Sequence, residues 1–175
     1  VTDTLLSLSG GRVTGNSAEA ELGGRPMITT VAAGGVLVRT DPAQTNVTLR
    51  ATGTLFDSNW CTSAGAVTTA TCAGHVMWPS TQGAAAQLHL EMRDLTLSHG
   101  HASNTDAGVS RSWVAGAVGF VTAGLQDSTV LLANVDMLAN TASAVASQGT
   151  ALAAAALLAR DEASVDGFSV SLENA

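Results

Sequence analysis

The chain has 175 residues, enough for one domain with a sizeable core. Apolar residues make up 46% and charged residues 12%, against a usual charged share of about 25%, which argues against an intrinsically disordered chain. Fourteen acids against seven arginines and no lysine give a net charge of −7, which argues against nucleic-acid binding. No apolar run reaches the roughly 20 residues of a membrane helix.

Residues 1–18 read as a strand ending in a bend, with Gly10-Gly11 as a bulge or break. Residues 19–26 are a polar loop. Residues 27–39 hold two short strands separated at Gly34-Gly35, and Asp41-Pro42 ends the second. A second unit opens at Asn46, bends at Phe56-Asp57-Ser58-Asn59 and closes with residues 74–78 before Pro79. A third begins near Gln87, carries a long polar loop over residues 99–112 and closes with residues 113–122. A fourth begins at Ser128 and closes with residues 151–159; a fifth opens at Ala163.

The units align. The apolar anchors Val13, Phe56, Leu97 and Met137 stand 43, 41 and 40 residues apart, a near-constant period that signals a repeat architecture. Three positions after each anchor stand Asn16, Asn59, Gly100 and Asn140; five after stand Ala18, Cys61, Ala102 and Ala142. Asn and Gly tolerate left-handed bends, and stacked amides can bond one another. Asn16, Asn59 and Asn140 are therefore expected to form a structural turn ladder. With two or three strands per unit, the pattern predicts an all-β, parallel β-helix of about four coils of roughly 40 residues. A propeller fits less well, because a blade needs four strands. Residues 1–175 are expected to be a single segment cut from a longer repeat protein, since both ends fall inside a repeat and no Met or signal peptide precedes Val1.

Residues 151–159 carry two competing readings. The Ala and Leu content alone suggests a helix. Alignment with residues 35–39, 74–78 and 116–122 suggests a strand.

Cys61 and Cys72 flank a small polar segment and are expected to form a disulfide stapling a surface loop, the alternative being two buried thiols. Asn46-Val47-Thr48 is a glycosylation sequon with Asn46 as acceptor. Both features favour an oxidising, extracellular or cell-surface location.

Phe56-Asp57-Ser58-Asn59 and Gly34-Gly35-Val36-Leu37 together resemble the Phe-x-x-Asn and Gly-Gly-Ala-Ile repeats of chlamydial polymorphic outer membrane proteins. Similar repeats occur in the dispersed gene family surface proteins. The resemblance implies a right-handed parallel β-helix used at a cell surface for adhesion or architecture. Val13 and Met137 replace the aromatic of that motif, and Val36 replaces its Ala.

Chemistry-bearing patterns are sparse. His99-Gly100-His101 with Asp106 is a weak candidate metal cluster. The acids do not stack in the columns flanking the anchors, as a polysaccharide lyase or hydrolase would need. One position after the anchors stand Thr14, Asp57, Ser98 and Leu138. Neither a nucleophile elbow nor a phosphate-cradling loop occurs. Trp60, Trp78 and Trp113 are sugar-stacking candidates or ordinary core residues. No catalytic, metal or cofactor residue is assigned. The expected function is a structural or adhesive, non-enzymatic segment, with a carbohydrate-active β-helix enzyme as the alternative. Its expected partners are further repeats of the same chain or other copies placed end to end, with glycans or cell-surface proteins as possible ligands.

Overall fold

A computed structural model describes residues 3–20, 27–38, 46–64, 66–79, 87–105, 109–122, 127–146, 149–161 and 169–174. These residues form strands and bends, with no helix among them. The first unit holds β1 (Thr4–Ser9), β2 (Arg12–Thr14), β3 (Ser17–Ala20), β4 (Met27–Ala33) and β5 (Val36–Leu37). The second holds β6 (Asn46–Thr52), β7 (Leu55–Asp57), β8 (Trp60–Ser63), β9 (Ala66–Ala73) and β10 (Val76–Pro79). The third holds β11 (Gln87–Ser98), β12 (His101–Asn104), β13 (Arg111–Ala115) and β14 (Val118–Thr122). The fourth holds β15 (Thr129–Leu138), β16 (Thr141–Ser143), β17 (Thr150–Ala154) and β18 (Leu157–Asp161), and β19 (Ser169–Glu173) follows.

Each strand pairs in parallel with its counterpart one unit away, which builds four open sheets. The first runs β1-β6-β11-β15-β19 and takes in β2 and β7; the second is β3-β8-β12-β16, the third β4-β9-β13-β17 and the fourth β5-β10-β14-β18. Val13 lies beside Phe56, Phe56 beside Leu97, and Leu97 beside Met137.

In β6 and β11 alternate residues are buried, as period-two strands require. Their inward residues, Val47, Leu49, Leu88, Leu90 and Met92, share one cluster with Val76, Trp78, Val118 and Phe120 of the fourth sheet. Trp78 and its register partner Phe120 meet edge to face, ring centroids 5.7 Å apart. Residues 71–78 are buried on both faces, because Met77, Trp113 and Val121 fill a second cluster on the other side.

The glycines have a steric explanation. A Cβ on Gly34 would collide with the carbonyl oxygen of Gly74, one on Gly74 with that of Gly116, and one on Gly116 with that of Ala155. Where one unit stacks on the next this corner closes only over glycine, and Ala155 stands at the outermost place of the row. The bends near the first sheet use left-handed backbone instead. Gly15, Ser58, His99 and Ala139 occupy one such row, at φ of 66°, 53°, 52° and 53°.

Several sequence-based expectations change. Each complete unit contributes to four sheets, not two or three strands, because Trp60–Ser63 and Thr141–Ser143 are short polar strands that propensity does not mark. The cysteines expected to flank a surface loop lie on two strands, Cys61 on β8 and Cys72 on β9. Residues 99–112 are not one loop, since β12 lies within them. Residues 151–159 form no helix: Thr150–Ala154 pairs with Arg111–Ala115 and Leu157–Asp161 with Val118–Thr122. Cross-strand pairing overrides alanine's helix preference there. Only the second of these two strands aligns with the Gly35 and Gly74 segments. The expected fifth opening at Ala163 lies outside the described residues.

Candidate functional site

The bend after the first sheet gathers most of the polar chemistry. Asn59 is fully buried. Its Oδ1 accepts from the Asn16 backbone N–H at 3.1 Å and from Asn16 Nδ2 at 3.0 Å. Its Nδ2 donates to the Val13 carbonyl at 2.6 Å. Asn140 repeats this clamp two units on: its Oδ1 accepts from the Gly100 N–H at 2.7 Å and its Nδ2 donates to the Leu97 carbonyl at 2.9 Å.

Gly100 leaves a gap between the two clamps, and the His75 imidazole fills it. Asn59 Nδ2 donates to His75 Nδ1 at 3.0 Å, so His75 Nε2 carries the proton and donates to Asn140 Oδ1 at 3.2 Å. A Cβ at Gly100 would lie 2.6 Å from His75 Nε2. Asn16 and Asn59 therefore touch directly, whereas Asn140 is reached only through the ring. Burial lowers the His75 pKa below its ordinary value of 6.5; the Asn140 bond opposes this in part.

Asp57 is a second hub. Its Oδ1 accepts from Ser98 Oγ at 2.7 Å and lies 2.8 Å from His99 Nδ1; its Oδ2 accepts from Ser58 Oγ at 3.0 Å. These bonds, His99 first and Ser98 next, hold its pKa down at about 2. The three residue types of a hydrolytic triad are present, but the order is wrong. Ser98 donates to the carboxylate, not to the imidazole, so nothing removes its proton. The signal was the column one position past the anchors, which sets Asp57 beside Ser98.

His99 and His101 do not converge on one ion: His99 turns to Asp57, and His101 Nδ1 lies 2.7 Å from Thr141 Oγ1. Asp106 lies outside the described residues. Among the described residues no group of three or more His, Cys, Asp or Glu is placed to hold a metal. Glu91 receives Arg50 Nε at 2.7 Å and Arg93 Nε at 2.6 Å, which lowers its pKa, the Arg93 bond contributing most. Asn46 Nδ2, the atom a glycan would modify, donates to Asp3 Oδ1 at 3.0 Å. Trp78 and Trp113 are buried and Trp60 is 43% exposed.

No family model, curated protein or solved structure matches the chain.

Cys61 of β8 and Cys72 of β9 form a disulfide with their Cα atoms 6.1 Å apart. Both are buried, and they pack with Ala32, Ala102 and Val114. The bridge is thus an internal tie between the second and third sheets. Its register neighbours are Ala18 and Ala102 on one side and Ala32 and Val114 on the other. Three of these neighbours are alanines, and with Val114 they pack directly around the two sulfurs.

Sequence reasoning missed His75. The available signal was paired: one glycine in the asparagine column, and one large residue in the row otherwise held by Gly35, Ala117 and Ala156.

Proposed function

We propose that the chain is a right-handed parallel β-helix segment of about four coils with a structural or adhesive role outside the cell. The observation that carries this reading is that apolar columns run through every unit to both outer strands. Leu6, Leu49, Leu90, Val130 and Val170 form one such column. Its two ends remain exposed, Leu6 at 43% and Val170 at 42%, and the neighbouring Leu172 is at 60%. A repeat stack covers such ends with more of itself, either further repeats of the same chain or other copies end to end. The polar clusters support architecture over catalysis, because the Asp57 and Glu91 carboxylates are both consumed by neighbours within the sheet. The disulfide suits an oxidising compartment. The resemblance to surface-protein repeats adds adhesion to the reading.

Light scattering on residues 1–175 across a dilution series tests it. The expected result is concentration-dependent growth, seen as rods by negative-stain microscopy. A monodisperse monomer at every concentration, with a sharp unfolding transition, overturns it.

A further inference from the structure

His75 enters the asparagine column from the adjacent wall, one residue before β10. At the corresponding places before β5, β14 and β18 stand Gly35, Ala117 and Ala156. The one bulky residue of that row faces the one glycine of the asparagine column. Without the ring, the polar column consists of two separate clamps. Asn59 joins the first and second units, and Asn140 joins the third and fourth.

We propose that His75 is an acid-labile latch, whose neutral imidazole ties the lower pair of units to the upper pair and whose protonation releases that tie. The chemistry follows from the two nitrogens. Nδ1 accepts from Asn59 Nδ2 and Nε2 donates to Asn140 Oδ1. A proton added at Nδ1 makes it a donor facing another donor. Asn59 cannot answer by turning its amide over, because its Oδ1 holds Asn16 and its Nδ2 holds the Val13 carbonyl. The imidazolium is also desolvated, since His75 is fully buried with the Phe56 ring centroid 6.1 Å from its own.

The charged and titratable groups around the ring are few. Asp57 at the end of β7 favours the cation, and His99 in the bend after β11 disfavours it. His101 on β12 is turned outward to Thr141. Burial outweighs the favourable contributions, so the folded pKa lies below the unfolded value of 6.5. The unfolded chain therefore takes up the proton first. The latch is intact above pH 6.5 and its contribution is lost progressively as the pH falls below that value. This inference concerns the interior of the stack and is independent of what covers its ends.

The test uses protein with 15N-labelled histidine, in solution or as solid assemblies, together with hydrogen exchange and urea unfolding. The 15N spectrum at pH 7.5 is expected to show His75 as the neutral Nε2–H tautomer. Below pH 6.5 the unfolding constant of the native protein is expected to rise by up to about tenfold per pH unit more than that of His75→Gln, the signature of one proton. The protection factors of the Gly100 and Asn16 amides, taken relative to the intrinsic exchange rate at each pH, are expected to fall over the same range. An Nδ1–H tautomer, or a native pH dependence equal to that of His75→Gln, overturns the proposal. If His75→Gln fails to fold, the tautomer and the exchange profile of the native protein decide alone. Unchanged Gly100 protection through protonation of the ring also refutes the latch.

Discussion

Replacing Asn59 by alanine probes the stack at its most connected point. The side chain makes four hydrogen bonds, two to Asn16, one to the Val13 carbonyl and one to His75. Truncation strands the Asn16 amide and the Val13 carbonyl, and leaves His75 Nδ1 without its donor. A buried polar group left unpaired costs about 1–3 kcal/mol; His75 is fully buried but Asn16 is exposed and Val13 half-buried, so the sum falls near 2–3 kcal/mol. Asn59→Asp keeps an acceptor but loses both donated bonds and places a carboxylate in the interior, so it is expected to cost at least as much at pH 7.5. The assay is urea unfolding at one fixed protein concentration, because association changes apparent stability. The midpoint should fall while the slope stays constant. The Asn16→Ala, Asn59→Ala cycle should be non-additive by about 0.5–1 kcal/mol, since the two side chains share a bond. An Asn59→Ala loss under about 0.5 kcal/mol would refute the idea that this column holds the units together.

Native protein should resist alkylation, whereas reduced and denatured protein should gain two labels by intact mass; Cys61→Ala with Cys72→Ala should cost about 2–3 kcal/mol, with little added cavity cost because alanine already fills neighbouring places in those columns. Ala139 sits exposed at φ 53°, so Ala139→Gly should raise stability by about 0.5–1 kcal/mol in urea, and a loss would show that the bend is held by other means. The Asp57 carboxyl titrates at about 2 in the fold against 3.8 in the unfolded chain, so its contribution is present above pH 3.8 and lost as the pH falls toward 2. In a His75→Gln background, Asp57→Asn should remove that acid response from the urea midpoint; an unchanged curve would show that the Ser98 and His99 bonds do not stabilise the carboxylate.

The period was legible because Val13, Phe56, Leu97 and Met137 are apolar and each is followed three residues later by Asn or Gly at near-constant intervals. The parallel sheets followed, since residues 40 to 43 apart must then lie side by side. Strand number was not legible. Ser58, His99 and Ala139 take the left-handed angles without being glycine, so the sequence marked these bends only through the Asn or Gly that follows each of them. Trp60–Ser63 reads as polar loop because its outward residues are seen in sequence and its inward partners, Cys61 and Ser63, are small. His75 was hidden for a different reason. Its role is set by an absence at Gly100, 25 residues away, and only three-dimensional packing couples the two. The disulfide was legible as a pair of cysteines. Its burial was not, because the segment between them looks hydrophilic.

The bridge between Cys61 and Cys72 lies wholly inside the second unit, and this shapes how the molecule yields to force. Tension applied along the stack loads the inter-unit hydrogen bonds in series, so units peel away one at a time. The covalent tie crosses none of those boundaries and adds nothing to the force at which a unit detaches. It acts afterwards, on contour length. A unit of about 40 residues pays out roughly 140 Å of extended chain at about 3.4 Å per residue. The second unit withholds the 11-residue separation closed by its sulfurs less the 6.1 Å that the bridge itself spans, about 31 Å at the same rise. A single-molecule extension trace would therefore contain one short step among longer ones, and a reductant would lengthen that step alone.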